Sequence, residues 1–225
     1  GQPIELIPKF DKDDDGILDK AERSAARKYM EEQRGGDGGG DRGQRGGRPP
    51  RPDGDRGGSP PSRGDRGARP DSRGGSGRPA PEPRDFSKAE RLEPGNDKDP
   101  GTKLYDEGTL RTLFITFKDD KWKEEMEVFY RTDVAVPADL IVDGKLFKDV
   151  GLKYRGNSSY FSVSPDLKRS MNLYVDHEHG DQKLLGYKTL NLLNSNSDPT
   201  FMREVIYSHV ARDYIPAFKG NFVKV

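Results

Sequence analysis

The sequence predicts an α+β protein in three unequal parts. These are an acidic helix–loop–helix over residues 1–33, a disordered Gly/Arg/Pro-rich linker over 34–102, and an antiparallel-sheet lobe with two helices over 103–225. Three observations predict it. Carboxylates alternate from Asp11 to Asp15 ahead of a glycine and a helix-forming run. Glycine, arginine and proline then dominate, with no aromatic residue between Tyr29 and Phe86. Beyond residue 103, apolar runs with strand and helix spacing return.

Composition sets the bounds. Only 30% of the 225 residues are apolar and 35% are charged, with 27 glycines and 17 prolines. A chain of this length folded throughout would be nearer half apolar, so a long segment has no core. The 39 basic and 39 acidic side chains cancel, so attraction to nucleic acid or an anionic membrane has to be local. Without cysteine there are no disulfides and no thiolate metal sites. No apolar run approaches the ~20 residues of a membrane span.

In the first part, Asp11-Lys12-Asp13-Asp14-Asp15-Gly16-Ile17-Leu18-Asp19-Lys20-Ala21-Glu22 fits the calcium loop D-x-D-x-D-G-x5-E at every position. The spacing has a mechanical reason. Asp11, Asp13 and Asp15 curl round one cation while Gly16 permits the sharp bend. Ile17 offers its backbone carbonyl, Asp19 binds directly or through water, and Glu22 closes the site with two oxygens. Ala21 to Glu32 forms helix readily, as an exiting helix should. The segment resembles the EF-hand family. Two details depart from it: Pro8 falls where the last turn of the entering helix is expected, and no second loop follows, although Leu18 has the apolar character suited to pairing with one. An unpaired hand implies affinity of the extracellular type, on the order of 10⁻⁴ to 10⁻³ M.

Residues 34–84 repeat Gly-Asp-Arg-Gly and Arg-Gly-Gly units among prolines. Such a segment cannot bury enough apolar surface to offset its ordering entropy and reads as a flexible spacer. An RNA-binding tail is the sharper alternative. Asp41, Asp55 and Asp65 beside the arginines, and the lack of rings for bases to stack on, argue against it.

In the lobe, Leu110 to Phe117 reads as a buried strand. Asp119 and Asp120 can cap a helix carrying Trp122, Met126 and Phe129 on one face. Val134 to Val142 reads as a strand in which Pro137 marks an edge or a bulge. Asp143-Gly144 is a two-residue hairpin signal leading into Lys145 to Tyr154. A small polar loop, 155–166, precedes a basic strand over 168–176. His177 to Asp181 is a polar turn, and its two histidines read as that rather than as metal ligands. Leu184 to Leu193 is another strand. Asp198-Pro199 opens a helix whose apolar face carries Phe201, Val205, Ile206, His209 and Val210, with His209 a satisfied core residue. Asn221 to Val225 is a last strand.

The runs VGLKYRGNSS (150–159), LKRSMNLYVD (167–176), KLLGYKTLNLLNSNSDPTFMREVIYSHVARD (183–213) and NFVKV (221–225) resemble the spore-coat CotH kinase family. The likeness runs unbroken through residues 103–225. It implies the N-terminal, nucleotide-covering lobe of an atypical protein kinase that uses ATP and Mg²⁺ to phosphorylate serine in extracellular or coat proteins. On that likeness Arg155, Gly156, Asn157, Ser158 and Ser159 form a phosphate-facing loop. Lys168 or Arg169 is the cation on the nucleotide phosphates, and Glu204 is the helix acid that pairs with it. Arg203 holds the helix to the sheet or touches phosphate. Plainer roles stand beside these: Arg155 paired with Asp166 or Asp198, Lys168 as an edge-strand charge, Glu204 as a solvated partner for a base. The aspartates for Mg²⁺ and for the serine hydroxyl lie in a kinase's second lobe. The expectation is therefore a fragment, inactive by itself, of an exported (secreted or cell-envelope) calcium-binding kinase. The alternative is a calcium-dependent interaction or scaffold protein without catalysis.

Overall fold

The computed structural model describes residues 3–36, 92–95, 98–165 and 167–225. The Arg-Gly repeats, and with them the spacer and RNA-tail readings, lie outside the described residues. Gly1–Gly39 and Leu92–Val225 form one compact unit.

That unit opens with a single helical turn, α1 (Ile7–Phe10), followed by the acidic loop and by α2 (Lys20–Gly36). Pro8 falls in the first turn of α1, where a missing N–H is no loss because no intrahelical acceptor awaits it. The expected clash with a last turn does not arise. Asp19 and Glu22 form a reciprocal capping box at the start of α2: the Glu22 N–H donates to Asp19 Oδ1 (2.8 Å) and the Asp19 N–H to Glu22 Oε2 (3.0 Å).

The lobe is built on a five-stranded antiparallel meander, β2 (Phe114–Phe117), β3 (Val136–Val142), β4 (Lys145–Tyr154), β5 (Met171–Tyr174) and β6 (Thr189–Leu192), in that spatial order. The Leu110 to Phe117 run divides between two sheets. Arg111–Thr112 is β1, which pairs in parallel with β7 (Val223–Lys224), and β2 follows after Leu113. The β3–β4 turn is the predicted one: Val142 pairs with Lys145, and Asp143 and Gly144 take φ of 51° and 72°, the left-handed pair that a tight hairpin needs. Pro137 lies in a central strand but at a local edge, paired with Gly151 of β4 on one side only. On its other side β2 ends opposite Ala138, so no ladder continues past it. The bulge comes directly afterwards, Lys148 and Asp149 standing against Asp139, with Asp149 at φ 53°.

Alternation along β3 buries Val136, Ala138, Leu140 and Val142 on one face. With Val150, Leu152, Leu173 and Val175 they make the centre of the core, each fully buried Val or Leu side chain stabilising by about 1.5–3 kcal/mol. α3 (Trp122–Val128) packs on β3 and β4 through Met126, and Phe129 just beyond it is buried too. The same core takes in Leu6, Leu18, Ala26 and Met30 of the helix–loop–helix. Leu18 thus finds its apolar partner in the lobe rather than in a second loop.

α5 (Arg203–Ala211) departs from expectation. Asp198 does cap its approach, accepting the N–H of Arg203 at 2.8 Å, but the helix starts five residues after it. Its buried position is Ser208, while Phe201, Ile206 and Val210 are exposed. His209 is not a core residue: it is exposed and pairs with Glu107.

Candidate functional site

The loop between α1 and α2 brings ligand atoms of Asp11, Asp13 and Asp15 within 4.8 Å of one another. It is held open by its own backbone. Asp11 accepts the N–H groups of Asp14 and Gly16, each at 2.8 Å, and Asp15 accepts that of Ile17 at 2.7 Å. Glu22, 4% exposed, ties the loop's end to its beginning, its Oε1 accepting the Lys12 N–H at 2.7 Å.

The electrostatics are those of crowded oxygens. Asp13 is pushed above the ordinary carboxylate value by desolvation and then by the charge of Asp15. Asp11 is also desolvated, but the N–H groups of Gly16 and Asp14 outweigh this and hold it below the ordinary value. All donors are oxygen, which suits a hard cation such as Ca²⁺, and a dication would relieve the repulsion that raises Asp13. Of the six expected ligands, the three loop aspartates converge, whereas Asp19 and Glu22 are engaged at the start of α2. Their carboxylates each keep lone pairs free for a metal while accepting those N–H bonds. Ile17 lies in the loop between Asp15 and Asp19.

A second feature is a cleft of about 580 Å³ whose walls include Phe117, Trp122, Tyr154, Lys168, Arg169 and Met171. Phe117 and Trp122 stack at 4.1 Å between centroids, 3° from parallel. Burial pushes the Tyr154 phenol up to about 12, so it remains a neutral hydroxyl at physiological pH.

The expected phosphate residues divide. Lys168 and Arg169 line the cleft; Arg155, Gly156, Asn157, Ser158, Ser159 and Glu204 do not. Lys168 is exposed and donates to the carbonyl of Val225. Arg169 is 8% exposed and closely held. It pairs with Glu127 at 3.0 Å, donates to the Val163 carbonyl at 3.3 Å, and lies 4.1 Å from the centre of the Tyr160 ring. Its acid partner is therefore on α3, and Glu204 makes no ion pair among the described residues. Arg203 is exposed, 3.6 Å from Asp198.

The Arg155–Ser159 loop is pinned away from the cleft. The Arg155 N–H donates to the Ser170 carbonyl, Tyr130 donates its hydroxyl to the Gly156 carbonyl at 2.6 Å, and Arg131 donates to the Asn157 side chain. Ser158 opens a single turn, α4 (Ser158–Phe161), that stacks Tyr160 on Tyr130 at 3.6 Å. Gly156 has φ 88°, and a Cβ there would fall 2.1 Å from Ser159 Oγ, so a side chain would strain the backbone and displace that hydroxyl. The Arg155 side chain forms no ion pair among the described residues.

Sequence reasoning missed Phe117, Trp122 and Tyr154 as cleft walls, because stacked rings at element ends read as core. It also missed Glu127. Its signal was present: Glu125 and Glu127 are two apart on a helix and so face opposite ways, and each meets an arginine, Arg23 and Arg169 respectively. Neither a family model nor a curated protein matches the chain.

Proposed function

We propose that this chain is a calcium-binding lobe of a CotH-like atypical protein kinase, with Ca²⁺ in the 11–22 loop and a nucleotide in the cleft beside Lys168. The observation that carries the calcium half is the convergence of Asp11, Asp13 and Asp15 in a loop whose sequence matches the calcium pattern at every ligand position. The nucleotide half is supported by the motif likeness of residues 150–225 and by a cleft lined by an exposed lysine, Lys168, and by stacked aromatic walls. Lys168 would neutralise phosphate oxygens, with Mg²⁺ shared by the same phosphates. The resemblance makes serine in an extracellular or coat protein the acceptor and places the protein outside the cell. The described helices include none long and apolar enough to cross a membrane.

A second reading is favoured by one observation. Both Nη atoms of Arg169 are taken up, by Glu127 and by the Val163 carbonyl, and its guanidinium lies over Tyr160, as a structural arginine's would, which suits a calcium-dependent interaction scaffold. Titration calorimetry of the 225-residue chain separates the two. One Ca²⁺ should bind per chain and be lost in Asp11→Ala. Mg-ATP should then bind the calcium-loaded chain and weaken in Lys168→Ala. Calcium without nucleotide binding selects the scaffold, and no calcium binding removes both readings.

A further inference from the structure

The helix–loop–helix reaches the cleft through one guanidinium. Arg23 follows directly after Glu22 and is 7% exposed. Its Nη1 donates to the Leu18 carbonyl, inside the acidic loop, at 2.8 Å. Its Nε faces Glu125 Oε2 of α3 at 3.5 Å. Trp122, one helical turn before Glu125, stands in the cleft wall, and Glu127, on the other side of α3, holds Arg169 of the same cleft. A weaker parallel link joins Lys20, the first residue of α2, to Asp119 at the cleft rim (3.4 Å). α3 is thus gripped between two arginines, one belonging to the loop and one to the cleft.

The entry to the loop is equally fixed. Both carboxylate oxygens of Asp133, just after α3, accept backbone N–H groups ahead of and within α1, from Leu6 at 2.7 Å and Ile7 at 3.0 Å. A short β-bridge between Ile4 and Thr132 runs beside them. With its start anchored at Asp133 and its end at Arg23, the loop cannot change shape without loading the contact to α3.

We propose that the helix–loop–helix is a regulatory brace on the cleft: cation occupancy of the 11–22 loop is transmitted through Arg23 and Glu125 to α3 and resets the Phe117–Trp122 wall. The inference rests on the calcium reading above, but what carries it is the Arg23 guanidinium, which touches both the loop backbone and α3. It gives the hand a function that needs no second hand. The lobe supplies the partner, and the cleft is what responds.

Trp122 is the only tryptophan in the chain and so reports on this wall directly. The test is a calcium titration of the 225-residue chain, followed in parallel by calorimetry and by Trp122 emission and acrylamide quenching. The expected result is an emission change with the same midpoint as the binding heat. In the double variant R23M/E125M, which replaces the pair by apolar chains of similar length, the heat should remain and the emission change should be lost. If circular dichroism shows that variant unfolded, Glu125→Gln serves in its place. Calcium heat with unchanged wild-type emission, or a full emission response in the folded variant, overturns the brace and leaves the calcium reading standing. Absence of heat in the wild type overturns both.

Discussion

Arg23 and Glu125 form an ion pair with both side chains 8% exposed, yet its facing atoms, Nε and Oε2 at 3.5 Å, make no hydrogen bond. A buried pair of this quality adds little over an apolar pair of the same size, but removing one partner strands a charge. Glu125→Ala is expected to destabilise the chain by about 3–5 kcal/mol, whereas R23M/E125M should lie close to wild type. Urea denaturation of the three proteins checks the order.

Asp133 should behave as a cap supplied from far along the chain. Its replacement by alanine leaves the Leu6 and Ile7 N–H groups without their acceptors, at a cost of about 1–2 kcal/mol. Hydrogen exchange is the sharper readout: these two amides should exchange much faster in Asp133→Ala, while amides of β3 and β4 change only with global stability.

Gly151 faces the His177 ring across a gap with no room for a side chain. A Cβ there would come within 2.6 Å of the ring and 3.0 Å of the Ala135 Cβ. Gly151→Ala should therefore cost about 1–3 kcal/mol by overpacking, read as a lower urea midpoint at unchanged slope.

The same histidine gives the pH dependence. Burial, and then the charge of Arg23, depress the His177 pKa below its ordinary 6.5, and its buried Nε2 has no hydrogen-bond partner. Below pH 6.5 the unfolded chain takes up this proton before the folded chain does. Stability should therefore fall as pH drops from about 6.5 toward the depressed folded value, and hold level above. His177→Asn should flatten that slope in urea midpoints measured between pH 5 and 7.5. An unchanged slope would remove His177 as its source.

Elements with local chemistry were legible in the sequence. Asp143-Gly144 fixed the β3–β4 hairpin, and the Val134 to Val142 run located β3. Trp122, Met126 and Phe129 gave α3, and the calcium pattern gave the loop. What could not be read were contacts between residues far apart in sequence. Nothing near Asp133 marks it as the cap of a turn at Leu6, and nothing in the run around Leu18 says that it joins the core of the lobe. The apolar face assigned to α5 failed for a related reason, since periodicity describes a stripe without naming what covers it. In the candidate site, Lys168 and Arg169, expected to meet phosphate, line the cleft, whereas the glycine turn at 156, expected as a phosphate-facing loop, does not. Its carbonyl and side-chain oxygens are held by Tyr130 and Arg131, residues that no short motif connects to it.

The central claim is that the acidic helix–loop–helix binds calcium as a built-in part of the lobe, and thermal unfolding of the 225-residue chain tests it most directly. Melting followed at Trp122 and by far-ultraviolet circular dichroism should give one shared transition. Calcium at about a hundred times its Kd should raise that transition as a whole, by about 2.7 kcal/mol of added stability, and Asp11→Ala should abolish the rise. A calcium-sensitive transition of the helices that leaves the Trp122 transition where it was would contradict the account.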